Sequence, residues 1–252
     1  MDLGNISSDL VVMTGAAAGA ERFAIRDFGE IEQLQSSRDQ GLRFAENGRA
    51  KIEKTVVEAL LAARPKFGIM TPSQTIAGAD ISHRFIVNPI DGFSNFARGL
   101  PLFAITIALQ EQKYIAAAVV YSPLLDKTFF ASRGDGAFVA EARMKRRIRV
   151  SRRAEEPFLL GEGGRELGCA SLSCAYVASG SADGYVALET SVFDLAAGAL
   201  IVKEAGGAIS AQDVDGAAAS DVFGAARVLV ENNYLQPGLK DLSLKDQHRG
   251  SK

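Results

Sequence analysis

Two aspartates stand where the sequence predicts that regular elements begin or end, and their side chains could hold a metal ion. Asp91 opens an Asp-Gly turn signal soon after the apolar, β-branched run 85–87, which is typical of a buried strand. Such a turn presents the carboxylate of Asp91 and the carbonyl oxygen of Ile90 together, and Mg²⁺ prefers oxygen ligands of these kinds. The pattern also fits a simple chain reversal, so both interpretations remain open from these residues alone.

The second aspartate, Asp194, stands near the predicted start of a helix that ends at the glycine pair Gly206-Gly207. In this helix Lys203 should be exposed, and the apolar residues at helical spacing should face the core, namely Leu195, Ala199 and Val202. A carboxylate in a first turn also complements the helix dipole. Asp194 therefore suits either a structural role or a metal-binding role.

Together the two stretches resemble the paired signatures of the inositol monophosphatase family. Those signatures are W-x-V-D-P-x-D-G-T-x-N-F and W-D-x-A-A-G-x-x-x-x-x-E-A-G-G, and here they stand as FIVNPIDGFSNF (85–96) and FDLAAGALIVKEAGG (193–207). Flanking segments such as 99–101 and 133–138 are similar to the bacterial extragenic-suppressor (SuhB-like) branch. The resemblance implies a layered α/β/α/β/α sandwich, a homodimer, and Mg²⁺-dependent hydrolysis of a phosphate monoester. We expect the two carboxylates to converge on one site.

The resemblance implies which residues would hold the metal, and it also reveals losses among them. The family's metal-ligand positions are occupied here by Asp91, Asp194, the carbonyl of Ile90, and Asn88. Asn88 replaces an aspartate that bridges two metal ions, so an oxygen remains there without its charge. Thr71-Pro72 replaces a Glu-Glu turn that supplies a further ligand. Because two carboxylates are lost, we expect Mg²⁺ binding to be weak or absent.

The resemblance also implies which residues would act on the substrate. Phe93 stands where the family has a threonine that orients the attacking water, and Thr71 stands where it has a glutamate that helps to position that water. We therefore assign no residue as catalytic. Ala187 replaces a glutamate that contacts hydroxyl groups of the sugar or inositol. The remaining positions of the substrate turn are kept, and we expect them to contact substrate, namely Gly92, Ser94 and Asn95.

Three functions are compatible with these departures. The main interpretation is a family member whose site is catalytically impaired or inactive and which is retained for binding. The first alternative is a weak Mg²⁺-dependent phosphatase for inositol monophosphate or a related sugar phosphate, which would use Asp91, Asp194 and the amide oxygen of Asn88. The second alternative is a regulatory protein that binds RNA or the transcription machinery through the basic stretch 143–153.

The basic stretch 143–153 has a simpler explanation as a solvated hairpin in which Ile148 and Val150 face inward. It contains no aromatic residue that could stack on a base, so we do not expect nucleic acid among the partners. The partners that we do expect are a small phosphorylated polyol or sugar and, by the resemblance, a second copy of this chain in a homodimer.

Composition limits the class of protein further. The 252 residues are 47% hydrophobic with a formal net charge of −2, which fits a globular protein with a large core. We expect a cytoplasmic location, because no apolar run is long enough to cross a bilayer and no basic residue precedes the first apolar stretch. Cys169 and Cys174 sit among small residues and should be buried. His83 and His248 lie far apart, which argues against a histidine-based metal site.

The elements that position these residues are expected in two halves. We predict an N-terminal α+β half at 1–150 that carries the Asp91 turn, a shortened C-terminal α/β half at 151–240 that carries Asp194, and a polar tail at 241–252. The C-terminal half is called shortened because a few dozen residues that are typical of the family are missing after Gly164.

Hydrophobic patterning predicts the individual helices and strands. Helices are predicted at 8–35 (one or two), 50–63, 169–177 and 194–205. Strands are predicted at 67–70, 85–87, 103–109, 114–121, 128–131, 137–141, 158–160, 185–188 and 208–210, with a strand or a helix at 225–231. Loops are predicted at 36–41 and 76–82. Pro89 has no backbone donor, so we expect the strand at 85–87 to end near it.

Overall fold

A computed structural model describes residues 6–33, 38–142, 144–162, 164–188, 190–212 and 227–235. Within these residues the chain forms six helices and twelve strands. The helices are α1 (Ser8–Gly19), α2 (Glu21–Gln33), α3 (Arg38–Ala63), α4 (Phe93–Phe96), α5 (Ala170–Ala178) and α6 (Val192–Glu204). The strands are β1 (Phe67–Met70), β2 (Thr75–Ile76), β3 (Asp80–Asp91), β4 (Ala104–Glu111), β5 (Tyr114–Ser122), β6 (Lys127–Ser132), β7 (Gly136–Glu141), β8 (Met144–Ile148), β9 (Leu159–Gly161), β10 (Gly184–Leu188), β11 (Ala208–Gln212) and β12 (Arg227–Glu231).

The strands form two mixed sheets. The larger sheet has eight strands in the order β2-β1-β3-β4-β5-β6-β7-β8, and the smaller has four in the order β11-β12-β10-β9. In the larger sheet β1 runs parallel to β3, whereas the other neighbouring strands are antiparallel. In the smaller sheet β9 runs parallel to β10 and the other pairs are antiparallel.

Helices cover both faces of the larger sheet. On one face α1 packs on β4, β5 and β6, α3 packs on β3, and α2 packs on α1 and α3. On the other face α6 packs on β3, β5 and β6, and α5 lies between α6 and strand β10 of the smaller sheet. The described residues thus form four layers in the order helices, sheet, helices and sheet, which confirms a layered mixed α/β fold with two sheets; the resemblance implied a fifth, helical layer as well. The division into halves near residue 150 stays a prediction, although all strands of the smaller sheet follow residue 151.

Two apolar cores fill the space on either side of the larger sheet, and β3 contributes to both. Successive side chains of a strand point to opposite faces, so Phe85 and Val87 lie in the core with α1 and α3, whereas Ile86 lies in the core with α5 and α6. Because β3 is packed on both faces, the position of its last residues is fixed by the core.

Helices α5 and α6 cross closely in the second core. A Cβ at Gly198 would lie 2.6 Å from the Cβ of Cys174, so only glycine fits this crossing. Cys174 and Cys169 are both free and buried, as the sequence predicted. The α6 residues that were expected to face the core are also buried, namely Leu195, Ala199 and Val202.

The strand predicted at 85–87 is longer than the sequence indicated, and it passes through Pro89 before it ends. β3 begins at Asp80, inside the stretch 76–82 that was predicted as a loop, and continues through Pro89 to Asp91. The pairing of β3 with β4 is irregular between Asn88 and Asp91. A ladder that is already interrupted does not need the missing N–H of proline, so the strand tolerates it.

Helix α3 begins earlier than the sequence predicted. It starts at Arg38, so residues 38–41 are helical rather than part of a loop, whereas 36–37 lie outside the described residues. Gly41, Ala45 and Gly48 are buried and three to four residues apart, so the early turns already pack one helical face. At the other end of the chain, the ambiguous segment 225–231 contains strand β12, and the predicted tail 241–252 lies outside the described residues.

Part of the basic stretch, residues 144–148, forms the edge strand β8 of the larger sheet. β8 pairs with β7 on one side only, and Arg146 and Arg147 are exposed while Ile148 is buried. Val150 is half-buried, and Arg143 lies outside the described residues. None of the helices in the described part of the chain combines the length and apolar character that crossing a bilayer requires.

The burial of α6 predicts a strong effect of charge at Leu200, which is 6% exposed. We expect Leu200→Asp to lower the free energy of unfolding by about 4 kcal/mol, because the new carboxylate would be buried without a partner. The matched control is Lys203→Asp on the exposed face of the same helix, which should cost about 1 kcal/mol or less. Urea denaturation measures both, and equal losses would contradict the orientation of α6.

A buried carboxylate, Asp183, joins the segment after β8 to the smaller sheet. It accepts the Nε–H of Arg153 at 2.9 and 3.0 Å, the backbone N–H of Phe158 at 2.8 Å, and the hydroxyl of Ser151. The side-chain amide of Asn232, just after β12, donates to it at 3.3 Å. Burial alone would raise the pKa of Asp183, but these hydrogen bonds, led by that of Arg153, hold the pKa below the ordinary value.

This lowered pKa predicts a pH dependence of stability. The contribution of Asp183 is complete above its pKa in the unfolded chain, about 3.9, and is lost as the pH falls through the lower folded value. We expect Asp183→Asn to cost about 2 kcal/mol at neutral pH and less in acid, as measured by urea denaturation across the pH range. Exposed Asp135→Asn serves as the control. A loss for Asp183→Asn that does not change with pH would contradict the ionised network.

Candidate active site

The predicted site lies where β3 ends and the chain turns into α4. Asn88 and Asp91 are buried there, with exposed fractions of 7% and 5%. Gly92 follows with φ of +81°, and a Cβ at this position would lie 2.7 Å from the carbonyl oxygen of Leu102. Only glycine combines this backbone conformation with so close an approach. The turn therefore fixes where the chain leaves Asp91 and enters Phe93.

Asp91 is held against the start of α5. Its Oδ2 accepts the backbone N–H of Ser171 at 2.7 Å and the thiol of Cys169 at 3.1 Å. Ser171 is in the first turn of α5, where a carboxylate complements the helix dipole. Burial raises the pKa of Asp91, the hydrogen bonds from Ser171 and Cys169 oppose this, and the nearby charge of Asp194 raises it further. The two aspartates are thus close enough for their charges to interact.

Asp194 lies in the first turn of α6, and both of its carboxylate oxygens accept hydrogen bonds. Oδ2 accepts the backbone N–H of Ser191 at 3.2 Å and its hydroxyl at 2.6 Å, which caps the helix. Oδ1 accepts the side-chain amide N–H of Asn88 at 3.2 Å. Asn88 therefore links the end of β3 to the start of α6, and two of the predicted ligand residues are in direct contact.

Thr71, at the end of β1, is buried and bonded to a glutamate of α3. β1 lies parallel to β3, with Met70 opposite Ile86, so Thr71 is next to the strand that carries Asn88. The hydroxyl of Thr71 donates to Oε1 of Glu53 at 2.8 Å. The same oxygen accepts the Gln74 side chain at 2.9 Å and the hydroxyl of Ser73. The turn after β1 therefore lies beside the carboxylate of Glu53, which accepts hydrogen bonds from uncharged side chains of that turn.

Phe93 carries a cation on its ring. The guanidinium carbon of Arg49 lies 4.7 Å from the ring centroid of Phe93, within the range of a cation–π contact. Arg49 is one helical turn before Glu53 on α3, and both Arg49 and Phe93 are half-buried. The side chain that stands in the position of a water-orienting hydroxyl thus contacts a positive charge instead.

The predicted substrate-binding residues differ in their freedom to contact a ligand. The amide of Asn95 donates to the carbonyl oxygens of Leu102 and Leu167 at 2.8 and 2.7 Å, so it holds two loops together. Ser94 is exposed and Gly92 is half-buried. Ala187 is 4% exposed and lies in the core with α5 and α6. Substrate contact by Gly92, Ser94 and Asn95 stays a prediction.

Comparison with known protein families decides the relationship of this chain. The model of the "Inositol monophosphatase family" matches residues 7–161 and 151–251. The chain belongs to the inositol monophosphatase family. The two matched segments overlap at residues 151–161. This overlap lies just before Gly164, after which we expected residues typical of the family to be missing.

Individual family members resemble the chain over most of its length. It is 36% identical to an inositol-1-monophosphatase of Mesorhizobium japonicum, a match that covers 92% of this chain and 95% of that protein. It is 32% identical to the Nus factor SuhB of Xylella fastidiosa over 78% of this chain and 79% of that protein. The solved structure of the extragenic suppressor protein suhB from Bartonella henselae matches with a TM-score of 0.79 at 34% identity, covering 96% of this chain and 100% of that chain. The predicted fold and family are confirmed.

Sequence reasoning missed the contacts of three residues that border the predicted site, Glu53, Arg49 and Cys169. Glu53 interrupts the buried face of α3 between Ile52 and Val56, and a charge at a core position is a signal that a polar partner must be near. Arg49 gave no comparable signal, because its contact with Phe93 depends on how α3 packs across the turn after β3. The thiol of Cys169 against Asp91 was missed for the same reason.

A cavity of about 570 Å³ opens near the start of β3, at the opposite end of that strand from the family site. Among the residues that line it are His83 of β3, Glu111 and Tyr114 at the β4–β5 turn, and Arg133 after β6. Of the described residues that line it, none belongs to the predicted metal or substrate positions. This cavity is therefore separate from the predicted active site.

The contacts of Asp194 predict that it stabilises the fold without any metal. In the presence of EDTA, we expect Asp194→Ala to lower the free energy of unfolding by about 1–2 kcal/mol, because the helix loses its cap and Asn88 loses its acceptor. Ser191→Ala, which removes one hydroxyl from the same cap, should cost less. Chemical denaturation measures both. Unchanged or higher stability of Asp194→Ala would contradict a stabilising role of the carboxylate.

Proposed function

We propose that this inositol monophosphatase family member has a catalytically impaired site that binds a phosphorylated polyol or sugar with little or no hydrolysis. The observation that carries the proposal is the hydrogen bond from the Asn88 amide to Asp194 at 3.2 Å. By the resemblance, the family has a carboxylate at position 88 that bridges two metal ions. The side-chain amide of Asn88 instead donates a hydrogen bond to Asp194, and it engages a carboxylate oxygen that a metal ion would otherwise bind.

The donor set does not fit a pair of Mg²⁺ ions. Asp91 and Asp194 supply two negative charges, and the carbonyl of Ile90 and the amide of Asn88 are neutral. Both oxygens of Asp194 and one oxygen of Asp91 already accept hydrogen bonds within the protein. A metal would have to displace these donors. These contacts support weak binding of Mg²⁺ at most.

The groups that would position water in the family are also replaced. The hydroxyl of Thr71 is committed to Glu53, and the ring of Phe93 offers no hydrogen-bond acceptor to a water molecule. Ala187 lies in an apolar core and cannot contact a substrate hydroxyl. Lost positioning or electrostatic groups each cost about a hundredfold in rate elsewhere. Because they act on one step, their effects will not simply multiply.

One alternative is a weak Mg²⁺-dependent phosphatase for inositol monophosphate or a related sugar phosphate. It is favoured by the 36% identity to a protein described as an inositol-1-monophosphatase and by the retention of Asp91 and Asp194. A second alternative, a regulatory role with RNA or the transcription machinery, draws on relatives described as Nus factors and on the exposed arginines of β8. A homodimer and a cytoplasmic location are further proposals that the resemblance and the composition support.

The main proposal is tested by steady-state hydrolysis of inositol 1-phosphate while Mg²⁺ is titrated through millimolar concentrations. We expect little or no turnover by the native protein. The triple variant Thr71→Glu, Asn88→Asp, Phe93→Thr should regain Mg²⁺ binding, which calorimetry measures. It should regain less of the turnover, because Ala187 still lacks the substrate contact. The same variant in EDTA is the control and should be inactive. Native turnover of about 1 per second or faster would reject an impaired site.

A further inference from the structure

Arg49 brings a positive charge to the border of the site, and no carboxylate among the described residues forms an ion pair with it. Its guanidinium lies 4.7 Å from the ring centroid of Phe93, and Phe93 follows directly on the Asp91-Gly92 turn. Within the described ranges of the chain, the ion pairs between basic and acidic side chains do not include Arg49. An arginine that is half-buried and not paired keeps its donors available for an anion.

The acidic residue placed to neutralise Arg49 is engaged elsewhere. Glu53 is four residues later on α3, the spacing at which opposite charges on a helix pair. Its Oε1 instead accepts hydrogen bonds from Thr71 and Gln74 at 2.8 and 2.9 Å, and one from Ser73. Only 6% of Glu53 is exposed, so the side chain is fixed in the turn after β1. The ring of Phe93, rather than a carboxylate, therefore orients Arg49.

We propose that Arg49 is the anion-binding group of this site and that it takes the phosphate of a polyol or sugar phosphate monoester without a metal ion. A guanidinium that rests one face on an aromatic ring keeps its N–H edges free, and these edges match the oxygens of a phosphate in a two-point contact. Phe93 then has a defined role, since it removes a hydroxyl that would orient water and supplies a platform for the cation. The inference rests on the proposed function of an impaired, phosphate-binding site.

The other departures from the family make binding without metal more favourable. Asn88 and Thr71 are neutral where the resemblance implies carboxylates, so a phosphate that arrives without Mg²⁺ meets two fewer negative charges. The carboxylates that remain are engaged by the protein: Asp91 is bonded to the start of α5, Asp194 caps α6, and Glu53 accepts hydrogen bonds from the turn after β1. With these residues at positions 71, 88 and 93, the guanidinium of Arg49 supplies the positive charge that a bound Mg²⁺ ion would otherwise bring to the phosphate.

The inference is tested by isothermal titration of inositol 1-phosphate, and separately of inorganic phosphate, into the full chain in EDTA. We expect the native protein to bind, Arg49→Gln to weaken binding by about tenfold or more, and Arg49→Lys to restore part of it through charge alone. Phe93→Leu should weaken binding severalfold, because the guanidinium loses its platform. Arg43→Gln, at an exposed position on the same helix, is the matched control and should bind as the native protein does.

The outcomes separate this inference from the proposed function. Absence of binding by the native protein in EDTA, or equal affinity of Arg49→Gln and native protein, would overturn the role of Arg49. Melting temperatures of all variants identify any that fail to fold, and Arg49→Lys then provides an independent comparison with Arg49→Gln. Rapid hydrolysis in Mg²⁺ would reject the impaired site, but it is a separate measurement that leaves the binding result in EDTA interpretable.

Discussion

The hydrogen bond from the amide of Asn88 to the carboxylate of Asp194 joins the end of β3 to the start of α6. A parallel link joins β3 to α5, because Asp91 accepts the backbone N–H of Ser171 at 2.7 Å. Both helices therefore direct the positive ends of their dipoles at one strand end, where an anion is stabilising whether or not a metal is bound. Asp91 and Asp194 thus have a role in the fold that does not depend on catalysis.

Close packing explains why two glycines of the signature stretches are retained. Gly92 and Gly198 stay because a Cβ would lie 2.7 Å from a carbonyl oxygen at the first and 2.6 Å from the Cβ of Cys174 at the second. Thr71 and Asn88 stand where the resemblance implies carboxylates, and both are buried and hydrogen-bonded, so each has a polar partner within the fold. A chain under these constraints can change the chemistry of the site while the fold is retained.

The fold was largely predictable because most of its strands are apolar runs separated by turn residues, and because two signature stretches contain Asp91 and Asp194. The continuation of β3 through Pro89 was not predictable, since it depends on an interruption of the pairing with β4 that only the folded sheet reveals. The same holds for the contacts of Arg49 and Glu53, which arise from the packing of α3 across two turns. Local pattern thus located the elements, whereas contacts between distant elements determined the charges of the site.

Those contacts also predict that single and combined substitutions toward the family pattern differ in how well their added negative charge is compensated. An aspartate at position 88 would face Asp194 across the 3.2 Å that now separates donor from acceptor, and two carboxylates so close repel each other unless a cation lies between them. A glutamate at position 71 would meet Glu53, which now accepts the Thr71 hydroxyl at 2.8 Å. Each reversion alone adds buried negative charge before there are enough ligands to hold a metal. The combined change adds several oxygen ligands, and a Mg²⁺ ion held by them would compensate the added negative charge, which neither single change achieves.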